Sequence, residues 1–227
     1  MANLIDPNEA IFTNLLANTD FKNHFINRFA DLLNSVLLHE HFLSIVNETF
    51  DEVNPYLAEN FNRTPAANFY TTDNKQNLIT WGNNHPALQR TSIKTHFGIT
   101  ETVNILLNVS DEDAGYIKMN TIDVTDNTPG IEANPYPWTG IYFKNIPLTL
   151  TAKAKEGYIF SHWSGDVSGT SSQITCTPDG NKQIQANFIL DTNGVNLTYF
   201  WYMSDAIPNN LPLQNVNSTF STTNSTG

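Results

Sequence analysis

Four short runs carry side chains capable of metal or acid–base chemistry. His39-Glu40-His41 sets two imidazoles and a carboxylate side by side. On a helix, positions i and i+2 point about 200° apart, so the two rings cannot close on one ion. No H-E-x-x-H follows either, and the run reads as a solvated helix end or turn. Ser161-His162 with Asp166 holds the three groups of a hydrolase triad. The G-x-S-x-G elbow that aims such a serine is missing. Ser110-Asp111-Glu112-Asp113 and Asp191-Thr192-Asn193-Gly194 look like pieces of calcium loops. Neither has the roughly twelve-residue spacing with a closing glutamate, and both read as solvated junction loops.

Other polar and aromatic residues have structural readings. Arg28 and Asp31 stand at i and i+3 and are expected to pair on a helix surface, worth about 0.2–0.5 kcal/mol. Arg63 and Arg90 are expected to bury their stems against aromatic rings. Tyr136, Trp138 and Trp201 have the rings to stack on sugars, but core or turn packing is the expected role. Asn-x-Ser/Thr triplets such as Asn47-Glu48-Thr49 and Asn217-Ser218-Thr219 carry little weight where asparagine is this common. No residue is assigned as catalytic, cofactor-binding or metal-ligating.

The elements that position these residues change character near residue 100. From Asp20 to Leu38, Phe21, Phe25, Phe29, Leu32, Leu33, Val36 and Leu37 recur at spacings of three and four, which predicts an amphipathic helix. Asn18 or Thr19 caps it, and Asn27 and Asp31 are left to other faces. A second helix is predicted over about 41–60, ended or kinked by Pro55. A third is predicted to start at Asn84 with Pro86 in its first turn and to stop at Gly98, turning Leu88, Ile93 and Phe97 inward. A short helix over about 10–16 precedes them. The phenylalanines of this part ask for more apolar partner surface than the helices offer one another.

After Glu101 the period drops to that of strands. Runs at 103–109, 115–122, 141–143, 148–152, 158–163, 173–176 and 183–188 are separated by turn residues, the mark of a β-rich module. Thr177-Pro178-Asp179-Gly180-Asn181 is expected to be a hairpin turn. Asn134-Pro135-Tyr136-Pro137-Trp138 is expected to be irregular.

Composition sets outer limits. The chain has 227 residues, a net charge of −11 and one cysteine. An acidic chain of this kind does not suit a phosphate backbone, which needs a basic stripe. No apolar run approaches the roughly 18 residues of a membrane span, and the first residues show no signal-peptide pattern. A single cysteine says little about compartment.

Two stretches resemble known families. Asn18 to Asn34, with Phe21, Phe25, Ile26, Arg28, Phe29, Ala30, Asp31, Leu32, Leu33 and Asn34, resembles the C-terminal helical part of the CotH (spore-coat protein H) kinase-like family. Leu88-Gln89-Arg90 through His96-Phe97-Gly98-Ile99 is similar to its closing helix, and the resemblance covers about 8–100. Gly140 to Ala152, Gly157 to Gly165 and Ala186-Asn187-Phe188 resemble the divergent bacterial repeat related to internalin B-repeats, over about 113–190. In that repeat the Ser161-His162 positions belong to a strand with Trp163 buried. The first resemblance implies an atypical protein kinase fold, secreted or on a cell surface, that uses ATP and a divalent metal. Its metal-binding Trp-Asp-x-Asp run and a glycine-rich phosphate loop are both missing from this sequence, and phosphoryl transfer depends on such positioning and charge neutralisation.

The expected class is therefore α+β. A helical subdomain, a fragment of a kinase-like C-lobe, occupies 1–100. A β-grasp-like, β-rich repeat module occupies 101–190. Residues 191–227 are a linker or the start of a further β domain. The expected function is a non-catalytic segment of a secreted or cell-surface CotH-like protein, its helices supporting a kinase lobe and its repeat acting as spacer or binding module. The alternative is a surface adhesin or carbohydrate-binding protein, and the minor alternative an ATP-using kinase. ATP and a divalent metal are expected only in a full-length parent. The expected partner is a protein or a cell-surface glycan; nucleic acid and a membrane span are not expected.

Overall fold

The computed structural model describes residues 7–63 and 72–192. Four helices come first: α1 (Pro7–Leu16), α2 (Thr19–Leu33), α3 (His39–Arg63) and α4 (Thr72–Phe97). Eight strands follow: β1 (Thr102–Val109), β2 (Gly115–Met119), β3 (Ile122–Asp123), β4 (Trp138–Phe143), β5 (Leu148–Ala154), β6 (Tyr158–Gly165), β7 (Gln173–Cys176) and β8 (Lys182–Leu190). The class is α+β, with the helical part N-terminal to the β-rich part.

Helix ends follow local chemistry at some places and long-range packing at others. Asn18 caps α2, its Oδ1 accepting from the Phe21 amide at 3.0 Å. Gly98, at φ 66°, ends α4. The prolines mislead: α3 runs through Pro55 to Arg63, and α4 begins at Thr72, well before Pro86. Asn84 is no cap; its Nδ2 donates to the Thr80 carbonyl inside α4. The early turns of α4 are held against α3 instead. Trp81 packs on Phe42 with ring centres 5.1 Å apart, and a Cβ at Gly82 would lie 2.3 Å from the Phe42 ring. Packing of this kind outweighs a local proline penalty of about 3 kcal/mol. Helix α2 ends at Leu33, short of the predicted Leu38, and Leu88 of α4 is 62% exposed rather than turned inward.

The strands form two four-stranded sheets with one core. The first has the order β4-β1-β8-β6, with β1 and β8 parallel and the other pairs antiparallel. The second, β3-β2-β5-β7, is antiparallel throughout. Alternation sends Val103, Ile105, Leu107 and Val109 of β1 into the core, where they meet Ile117, Met119, Leu148, Leu150, Trp163 and Ile184. The run predicted as one strand over 115–122 breaks into β2 and β3 around Asn120, whose φ is 46°. Trp138 belongs to β4, immediately after the two prolines. The 177–181 turn joins no hairpin: β7 lies in one sheet and β8 in the other. There the Pro178 carbonyl accepts from the Asn145 amide and Asn181 Oδ1 accepts from the Asn104 amide.

The core does not stop at the sheets. Ile26 and Ala30 of α2 and Ile93 of α4 belong to the same buried cluster, with Phe25, Phe29 and Phe97 packed against it. The β-rich part thus supplies apolar surface that the helices lack among themselves. Residues 193–227, Trp201 among them, lie outside the described residues.

Candidate functional site

Helix α2 is buried on two sides for different reasons. One carries the rings of Phe25 and Phe29, 5.3 Å apart and extended by Phe12 and Phe97. The other carries Ile26, Ala30 and Leu33 alongside Asn27, Asp31 and Asn34. Positions 27, 31 and 34 fall at i, i+4 and i+7, a polar stripe on one face. That stripe meets β4, the β2–β3 turn and the start of β5.

Asp31 is the centre of the seam. It is 0% exposed. Its Oδ2 accepts from the Thr121 amide at 3.0 Å and from the Thr121 hydroxyl at 2.5 Å. Its Oδ1 accepts from Tyr142 Oη at 2.9 Å and Asn120 Nδ2 at 3.2 Å. Burial pushes the Asp31 carboxyl above its ordinary value, and the hydrogen bonds from Thr121, Asn120 and Tyr142 pull it only part of the way back. Burial likewise holds the Tyr142 hydroxyl well above its usual range, and the neighbouring Asp31 charge adds to this.

The flanking residues repeat the pattern. Asn34 is complementary to the backbone of Ile141: its Nδ2 donates to the Ile141 carbonyl at 2.8 Å and its Oδ1 accepts from the Ile141 amide at 3.0 Å. Arg90 of α4 donates through Nη2 to Asn34 Oδ1 and to the Leu33 carbonyl, both at 3.0 Å. Burial lowers its guanidinium pKa, opposed by Tyr142. Asn27 Nδ2 donates to the Pro147 carbonyl at 2.7 Å. Arg28 does not pair with Asp31 directly. Its Nη1 donates to Thr121 Oγ1 at 2.7 Å, and that hydroxyl carries the contact on to Asp31. The expected surface ion pair is thus a relay through a threonine.

Chemically, this network holds two parts of the chain together. The carboxylate is sealed, and its four hydrogen bonds are spent on protein groups. A side chain that gathers such partners fixes register at the seam in a way apolar contact alone does not.

The residues named from sequence are scattered. His39 Nε2 lies 2.9 Å from Glu40 Oε1 on an exposed helix start. Ser161 Oγ and His162 Nδ1 are 3.0 Å apart, but Asp166 is engaged elsewhere, its Oδ2 accepting from the Gln183 amide. Ser110 Oγ accepts from the Phe188 amide, and Asp111 Oδ1 from the Asp113 amide, a turn of ordinary kind. Arg63 pairs with Glu59 one turn earlier. Trp138 is 8% exposed, so it offers no open face to a sugar. Tyr136 Oη accepts from the Ile117 amide at 2.7 Å. Trp163 is buried and donates to the Ser171 carbonyl. Glu40, His41 and Trp138 do come together, along one groove of about 660 Å³ shared with Pro135 and Pro137. Among the described residues no three His, Cys, Asp or Glu side chains cluster as metal ligands would.

Sequence reasoning missed Asn27, Asn34, Asn120, Thr121 and Tyr142. A signal existed for the first two: uncharged amides at helical spacing beside small apolar residues mark a face that packs.

Comparison with protein families gives two matches. The CotH kinase protein family matches residues 3–88, and the divergent InlB B-repeat domain matches residues 137–192. No curated protein and no solved structure matches the chain. The repeat match begins just before β4, so β1, β2 and β3 lie ahead of it, although β1 and β2 are inner strands of the two sheets. The chain thus carries, in this order, a helical segment similar to the CotH kinase protein family and a β segment similar to the divergent InlB B-repeat domain.

Proposed function

We propose that this chain is a non-catalytic segment of a secreted or cell-surface CotH-like protein, whose helices support a kinase lobe lying outside this sequence and whose β module serves as spacer or binding unit. One observation carries the reading. Exposed large apolar side chains gather on the helices, with Ile11, Phe12 and Leu15 on α1, Ile45 and Tyr56 on α3, and Leu78, Trp81 and Leu88 on α4, against Ile159, Ile189 and Leu190 in the β module. Scattered apolar residues need no explanation, but their concentration on the helices is what a segment that meets a partner would show. The sequence supplies neither the Trp-Asp-x-Asp run nor the glycine-rich loop that would hold a nucleotide and its metal.

No described helix is long and apolar enough to cross a membrane. A surface location is supported by the repeat module, of a type found in surface proteins. The test is a thermal-shift titration of the whole chain with magnesium and ATP, followed by a phosphotransfer assay on a generic protein acceptor. The expected result is no nucleotide-dependent stabilisation and no transfer. Saturable stabilisation together with transfer of phosphate would overturn the reading.

A further inference from the structure

The turn at 177–181 carries Asp179-Gly180, the single aspartate–glycine pair in the sequence. The Asp179 side chain is 78% exposed. Gly180 follows it in a bend, and its amide donates to no acceptor among the described residues. A Cβ built at Gly180 would meet nothing within 4 Å. The other described aspartates stand in different surroundings. Each precedes a residue with a side chain, and amides that follow them are spent: Val124, after Asp123, donates to the Ile117 carbonyl, and Ala114, after Asp113, to the Asp111 carbonyl.

These features are what an aspartate needs to react with its own backbone. The nucleophile is the nitrogen of the next residue, and it reaches the side-chain carboxyl carbon only in conformations that glycine adopts freely and a Cβ obstructs. A hydrogen bond would hold that N–H in place, and here there is none. We propose that Asp179 is a site of spontaneous isomerisation to isoaspartate. The Gly180 nitrogen bonds to Asp179 Cγ, and its proton leaves with the carboxyl hydroxyl as water, closing a succinimide ring. Water then adds at the Asp179 main-chain carbonyl carbon. The bond from that carbon to nitrogen breaks, the proton returns to nitrogen, and the chain now runs through the side chain. Opening at Cγ instead restores aspartate. The water gained equals the water lost, and nothing is oxidised or reduced.

One contact opposes the reaction. Lys182 Nζ donates to Asp179 Oδ1 at 2.7 Å, but a surface pair of this kind is weak and opens many times while so slow a reaction proceeds. The position of the turn gives the change a consequence. The Pro178 carbonyl accepts from the Asn145 amide at 2.7 Å, Asn181 Oδ1 accepts from the Asn104 amide at 2.8 Å, and Lys182 opens β8 in register with Ile105 of β1. A main chain longer by one methylene between Pro178 and Asn181 strains these contacts and loosens the start of β8. The proposal goes beyond the support-and-spacer reading and does not depend on it.

The test ages the purified full chain for several weeks at neutral pH and body temperature, then maps the tryptic peptide 156–182. Isoaspartate at 179 elutes apart from aspartate at unchanged mass and is placed by fragmentation. A synthetic peptide spanning 173–185 gives the rate of the unstructured sequence. The expected result is conversion at Asp179 within about tenfold of the peptide's rate, since an exposed bend protects little. Gly180→Ala, for which the open space has room, is expected to slow it about tenfold or more with the unfolding midpoint kept. Should that variant lose the fold, Asp179→Glu, whose longer side chain closes no such ring, is read in its place and is expected to give no isomer. The aged parent is expected to unfold at lower urea than the fresh parent. No isomer at 179 while the peptide converts, a rate more than about tenfold below the peptide's, or equal conversion in the substituted chain overturns the proposal. A converted sample with an unmoved midpoint overturns the effect on β8.

Discussion

The Tyr142 hydroxyl donates to the Asp31 carboxylate at 2.9 Å, joining α2 to the edge strand β4 between two fully buried residues. Because the tyrosine shares that carboxylate with Thr121 and Asn120, one side chain of the helix holds both sheets: β4 belongs to the first, and the β2–β3 turn to the second.

Removing Asp31 leaves several buried donors unpaired at once. Asp31→Ala is expected to lower unfolding stability by about 2–4 kcal/mol. Tyr142→Phe, which removes one donor and leaves the other three bonds to the carboxylate, is expected to cost about 1 kcal/mol. Urea unfolding monitored by tryptophan fluorescence decides it. Equal costs for the two changes would contradict the shared network.

The Asp31 carboxyl also predicts a pH dependence. Burial holds its folded pKa above the ordinary value of 3.8. Between the unfolded and folded values the native chain binds the extra proton, so stability from this group falls as pH rises through that window and is greatest below it. Asp31→Asn removes the titration. The melting temperature of the parent minus that of Asp31→Asn is therefore expected to be larger at acid pH than at neutral pH. A difference that stays flat, or grows toward neutral pH, would count against a raised Asp31.

Gly130 sits where the loop after β3 crosses the end of α2. Its φ is 85°, and a Cβ there would lie 2.1 Å from the Ser35 carbonyl oxygen. Gly157 has a similar φ of 82° with nothing within 4 Å of an added Cβ. Gly157→Ala is expected to cost about 1 kcal/mol from backbone strain alone. Gly130→Ala is expected to cost at least about 1 kcal/mol more, since backbone has to move. Thermal unfolding of the two variants side by side measures the gap, and an equal loss would mean the loop gives way freely.

The exposed apolar residues of the helices predict the opposite kind of outcome. Leu88 is 62% and Trp81 49% exposed. Leu88→Gln is expected to change stability by no more than about 0.5 kcal/mol while reducing the binding of a hydrophobic dye. A large loss of stability would show that Leu88 is packed within the chain.

Cys176 is buried, and burial raises its thiol pKa. Alkylation by iodoacetamide at neutral pH is expected to be slow in the native chain and to rise by about tenfold or more in denaturant. Equal rates in both conditions would place the thiol in solvent.

Much of this architecture can be read from residue periodicity, and the exceptions share a cause. β1 and β7 are legible because alternating and apolar runs report local burial. The aromatic face of α2 is legible for the same reason. Asp31 is not: on a helix an aspartate three residues from an arginine reads as a surface pair, and only Tyr142 and Thr121, some ninety residues or more away in sequence, make it an interior residue. Pro55 and Pro86 read as breaks because the proline penalty is local, whereas what sustains α3 and α4 is the Phe42–Trp81 contact between them. The Pro-Asp-Gly turn at 178–180 announces a change of direction but carries no information on which sheet receives the next strand.

The parallel pairing of β1 with β8 has a mechanical consequence. The chain enters the β module at the Thr102 end of one strand and leaves from the far, Leu190 end of its neighbour, so a pull on the two ends slides these strands lengthwise past each other. Such a load strains the whole row of inter-strand bonds together instead of unzipping them singly, and a module wired this way resists extension along its own long axis.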